Sequence, residues 1–147
     1  SSYFKMTANA DKLALAYNVF FATLQVPKPS ANQLKFIINT TYKLDSATSF
    51  MNTQLMLIAG KTLETGTGHK IVLGDEKIEW GDAELGGWIK HNGWTLTIPA
   101  GMHLSWPVLP FNPYKNKPET ELATAIGRLF ILLKNEDQEF QFTLKVE

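Results

Sequence analysis

Cysteine is absent from the 147-residue chain. That excludes a disulfide framework, a thiolate zinc site and a cysteine nucleophile, and it leaves the compartment undecided. Net charge is absent too, because fourteen Lys and Arg offset fourteen Asp and Glu. Without a global positive field nothing draws in a phosphate backbone or an anionic bilayer, so neither nucleic acid nor a polybasic membrane contact is expected. No apolar run reaches the roughly 18 residues of a membrane-spanning helix. Ser1-Ser2-Tyr3 opens the chain without a charged-then-apolar leader pattern. A start without Met fits a domain excised from a longer protein, and it fits removal of a tag equally well.

What is present is globular. The chain is 44% apolar and 19% charged, a mixture that folds rather than stays disordered. Its length suits a single domain, residues 1–147, with a core large enough to need no staple. No repeat, low-complexity tract or composition break divides it.

Period-2 alternation dominates. From Gln33 to Leu44, Leu34, Phe36, Ile38, Thr40, Tyr42 and Leu44 share one face, and Gln33, Lys35, Ile37, Asn39, Thr41 and Lys43 the other. This is a strand with one solvated side. Phe140, Phe142, Leu144 and Val146 repeat the pattern at the chain end. Arg128 to Lys134 is apolar on both faces, which predicts a central strand. The polar Asn135-Glu136-Asp137-Gln138 between these two strands predicts a hairpin.

His91-Asn92-Gly93-Trp94 is the strongest local signal. Asn and Gly tolerate the positive φ that both central positions of a type I′ turn require. The turn sets a register in which Trp94 opposes His91, Thr95 opposes Lys90, Leu96 opposes Ile89 and Thr97 opposes Trp88. Ile89, His91, Trp94, Leu96 and Ile98 then share one face, and Trp88, Lys90, Thr95 and Thr97 the other. Further strands are expected at Tyr3–Thr7, Gln54–Ala59, Lys70–Leu73, Lys77–Trp80 and Met102–Val108. In the last, His103 and Ser105 face away from Met102, Leu104 and Trp106. Lys12 to Val26 fits a helical stripe or a strand, and its β-favouring centre predicts one long strand with a bulge near Phe20-Phe21. Gly60–Gly68 and Pro110–Ala125 are expected as long connections, the second with a short helix after Pro118. About ten strands and at most one short helix give an all-β chain, an antiparallel β-sandwich of jelly-roll type.

No catalytic motif survives a spacing check. Gly60-Lys61-Thr62 resembles the end of a phosphate loop, but Leu55 stands where that motif needs glycine. His69, His91 and His103 have no metal-helix spacing. Asp75, Glu76, Glu79, Asp82 and Glu84 crowd five carboxylates into ten residues. Calcium favours clustered oxygens, yet EF-hand spacing is missing, so a solvated hairpin end is the default and calcium the lesser reading. Asn39-Thr40-Thr41 is a glycosylation sequon that matters only in a secreted eukaryotic protein.

The aromatics say more. Most alternate with polar residues and belong to a core. Trp88 falls on the face of Lys90, Thr95 and Thr97, and Phe111 and Tyr114 lie in the proline-rich loop beside Asn112. Flat rings flanked by hydrogen-bonding groups suit the apolar faces and hydroxyl edges of a sugar. Burial of Trp88 beneath the long loop is the opposing expectation. The leading reading is therefore a non-catalytic, lectin-like accessory module, extracellular, that binds carbohydrate through Trp88, Lys90, Phe111, Asn112 and Tyr114. A structural or assembly domain of a larger secreted or viral protein, with a protein partner, is the second reading. A glycan-active hydrolase or lyase using the carboxylates or His103 is the third. Composition leaves the oligomeric state open.

Overall fold

The computed structural model describes residues 5–9, 12–16, 20–25, 32–42, 49–109, 125–134 and 136–147. Thirteen strands and one helical turn lie among them: β1 (Lys5–Asn9), β2 (Lys12–Ala16), β3 (Phe20–Gln25), β4 (Gln33–Tyr42), β5 (Ser49–Leu55), β6 (Thr62–Thr65), β7 (Lys70–Val72), β8 (Ile78–Trp80), α1 (Asp82–Leu85), β9 (Trp88–His91), β10 (Trp94–Thr97), β11 (His103–Val108), β12 (Ile126–Leu133) and β13 (Gln138–Val146). They form a nine-stranded sheet, β1-β2-β3-β4-β13-β10-β9-β6-β7, and a four-stranded sheet, β5-β12-β11-β8. Every pairing is antiparallel. The chain is an all-β sandwich.

Alternation places the core. Leu63, Ile89, Leu96, Phe140 and Phe142 from the larger sheet meet Ile78, Leu104, Trp106, Leu129, Ile131 and Leu133 from the smaller in one apolar cluster. Each such side chain contributes about 1.5–3 kcal/mol on leaving water. Trp106 is the largest side chain fully buried there, and its Nε1–H donates to Gly74 O at 2.9 Å, so its one polar atom is satisfied. β12 runs between β5 and β11, and its inner residues alternate with outward Arg128, Phe130 and Leu132, as expected of a central strand.

The β9–β10 hairpin has the register read from its turn: Trp94 with His91, Thr95 with Lys90, Leu96 with Ile89 and Thr97 with Trp88. Asn92 has φ 43° and Gly93 φ 87°, both left-handed.

Several expectations are corrected. Lys12 to Gln25 is not one bulged strand but the pair β2 and β3, with Lys12 opposite Gln25 and Ala16 opposite Phe21. The two halves pair with each other, and β2 and β3 then pair onward with β1 and β4. β12 and β13 do not form a hairpin. Each already has two neighbours in its own sheet, so the polar link crosses between the layers, held by Lys134 N–H donating to the Gln138 side-chain carbonyl at 2.8 Å. The strand expected at Gln54–Ala59 lies earlier, at Ser49–Leu55. The connection Gly60–Gly68 contains β6, whose inward Leu63 and Thr65 are buried. The described helical turn is Asp82–Leu85, and the helix expected after Pro118 falls outside the described residues.

The turn at the end of β6 packs directly on the end of α1. Gly66 N–H donates to Leu85 O at 2.8 Å, and a Cβ on Gly66 would sit 2.2 Å from Gly86 O. Only glycine permits that approach.

Candidate functional site

Two solvent-facing sheet surfaces carry the chemistry. On the larger sheet, direct cross-strand neighbours share a face. Trp88 on β9 therefore stands in one row with Thr97, Thr143 and Lys35, and Lys90 in the next with Thr95, Lys145 and Gln33. Trp88 is half-buried and Lys90 exposed. The Lys90 ammonium sits 2.8 Å from Glu147 Oε1. The hydrogen bond to that carboxylate, and then its charge, hold Lys90 above the ordinary lysine range. Among the site residues read from sequence, Trp88 and Lys90 thus share one face of β9, the first half-buried and the second exposed. Phe111, Asn112 and Tyr114 lie outside the described residues.

The outer face of the smaller sheet holds a cluster that the sequence had only in pieces. Glu79, Ser105, Arg128 and Gln54 form one row across all four strands, and His103, Phe130 and Asn52 form the next. Glu79 Oε2 accepts from Ser105 Oγ–H and from His103 Nε2–H, each at 2.7 Å. The His103 ring lies 4.8 Å from that of Phe130. The Ser105 hydrogen bond, and then that from His103, keep the Glu79 carboxyl below the ordinary glutamate range. An ionised Glu79 is no general acid at neutral pH. Ser105 Oγ–H donates to the carboxylate and not to His103. The group behaves as a hydrogen-bonded brace between β8 and β11. Alternation had put His103 and Ser105 on one face, but Glu79 joins them only through the β8–β11 pairing, a contact across 24 residues.

The remaining carboxylates of the acidic run go separate ways. Glu84 accepts from Gly81 N–H at 2.8 Å, and Asp82 accepts from Gly101 N–H at 2.8 and 3.0 Å. Asp75 and Glu76 are exposed. Among the described residues no group of three or more His, Cys, Asp or Glu converges to hold a metal. Asp75, Glu76, Glu79, Asp82 and Glu84 therefore do not form the calcium cluster that their spacing allowed. No helix among the described residues is long and apolar enough to cross a membrane.

His91 is a structural residue. Its partners are distant in sequence. Nδ1–H donates to Thr62 O at 2.8 Å and Nε2 accepts from Ile58 N–H at 3.0 Å. His69 lies in a surface group in which its Nδ1 is 2.8 Å from Thr67 Oγ1 and its ring 5.3 Å from that of Trp80. No protein-family model matches the sequence, and no curated protein or solved structure is significantly similar to it.

Proposed function

We propose that the domain is a non-catalytic binding module whose ligand is carbohydrate, taken on the outer face of the nine-stranded sheet. The observation that carries this reading is the half-buried Trp88 in one row with Thr97 and Thr143, with exposed Lys90 two residues on along the same face. An indole on a polar sheet surface offers an apolar plane for a sugar ring. Thr97, Thr143 and Lys90 offer donors and acceptors for its hydroxyls. A sheet face suits a chain of sugar units better than a small molecule, which needs an enclosing cavity.

Titration of the domain against a panel of soluble oligosaccharides tests the proposal. Binding is expected in the micromolar to millimolar range with a change in tryptophan fluorescence, and Trp88→Ala is expected to weaken it about tenfold or more. Trp88→Phe keeps a ring and is expected to retain part of the affinity. Absence of binding at millimolar ligand, or binding indifferent to Trp88→Ala, sinks the reading.

A further inference from the structure

We propose that the β5 edge of the four-stranded sheet is a self-association site, where a second copy of this chain pairs β5 with β5 in antiparallel fashion.

A sheet edge presents unpaired backbone N–H and C=O groups, and proteins ordinarily blunt such edges by shortness, charge, proline or a bulge. Among the described residues, three of the four sheet edges are blunted. β7 and β8 have three residues each, with Lys70 and Glu79 on them, and five-residue β1 begins with Lys5. β5 is different. Ser-Phe-Met-Asn-Thr-Gln-Leu runs seven residues without a charge or a proline, in an unbroken register against β12 from Ser49 with Leu133 to Leu55 with Gly127. Among the described residues it is paired on that side alone.

The apolar surface collects at the same place. Phe50 is 56% exposed and Leu132, directly opposite it on β12, is 60% exposed. Met56 and Ile58, which continue from β5, are exposed as well. Four of the seven large apolar side chains exposed among the described residues therefore lie on β5, its continuation or its partner strand. Apolar exposure gathered in this way marks a contact surface.

The occupant follows from the strand's own symmetry. A two-fold axis at Asn52, the middle of β5, sets Asn52 against Asn52 of the other copy and Phe50 against Gln54. A self-pair of a charged strand would place like charges near one another; this strand has none to oppose. The two Phe50–Leu132 pairs would lie on the outer face of a continuous eight-stranded sheet. The contact is independent of the carbohydrate reading, because Trp88 belongs to the other sheet.

A pairing along one seven-residue strand is a small contact beside a standard interface, so the association is expected to be weak. Sedimentation velocity from about 10 μM to about 1 mM protein covers the range of such affinities. The expected result is a monomer at the low end and a dimer at the high end. Asn52→Lys places two like charges across the axis and is expected to stay monomeric throughout with an unchanged circular-dichroism spectrum. Hydrogen exchange on the unaltered chain, dilute against concentrated, is expected to show added protection at Ser49–Leu55. A monomer at every concentration, a dimer indifferent to Asn52→Lys, or a dimer without protection at β5 overturns the proposal.

Discussion

His91 shows how one side chain can join three parts of a fold. It is 1% exposed, and its ring bridges the Thr62 carbonyl at the start of β6 and the Ile58 amide before it, with Trp94 edge-on at 5.7 Å. A carbonyl only accepts and an amide N–H only donates, so the two bonds assign the neutral Nδ1–H tautomer. His91→Phe keeps the ring volume but takes the side-chain partner from both backbone groups, which are part-buried. A fully buried orphaned group costs about 1–3 kcal/mol and one that water can reach costs less, so the variant is expected to lose about 1–3 kcal/mol in all in urea unfolding with an unchanged m-value. His91→Gln, which can still donate and accept, is expected to lose less. Equal losses for the two variants would show that ring packing, and not the hydrogen bonds, sets the cost.

At the scale of elements, the β9–β10 hairpin rests on its two turn residues. Gly93 at φ 87° occupies a conformation that side chains with a Cβ adopt at a cost. Gly93→Ala is expected to cost about 1 kcal/mol, and Asn92→Gly to be near neutral. Equilibrium denaturation reads both, and a neutral Gly93→Ala would mean that the turn relaxes. This hairpin was legible because its register is fixed locally, by two residues of known φ preference between β-favouring runs. Alternation likewise exposed the inner and outer faces of β4, β11 and β13, since burial on one side leaves a period-2 trace wherever the strand lies. Partner choice leaves no such trace. Asn135–Gln138 is equally polar as a hairpin or as an arch between layers, and only the neighbours already bonded to β12 and β13 decide. β6 was obscured because an inward residue, Thr65, is polar; its hydroxyl is satisfied by donating to Glu84 O at 2.7 Å, nineteen residues away. The site divides the same way: Trp88 and Lys90 follow from a local turn, whereas Glu79 meets His103 only through the fold.

For the whole molecule, charge balance sets the response to solution conditions. With net charge near zero at neutral pH, long-range self-repulsion is small and stability depends on local contacts. Acid changes this, and Glu79 reports the start of the change. Its carboxyl titrates lower in the folded chain than in the unfolded one, because Ser105 Oγ–H and then His103 Nε2–H bond the ionised form. The unfolded chain therefore binds the proton first. The stabilisation is complete above the unfolded carboxyl's range and is lost as pH falls through the lower folded value. Its size is small, since the Glu79 side chain is 49% exposed and solvent screens it. Glu79→Gln removes the ionisation but keeps an acceptor for Ser105. The variant is expected to be slightly less stable than the unaltered domain at pH 7, with the gap closing between about pH 5 and pH 3. Thermal melts at half-unit steps would follow that convergence. A gap that stays constant through this range would mean that the brace between β8 and β11 works by shape and hydrogen bonding alone, without the charge.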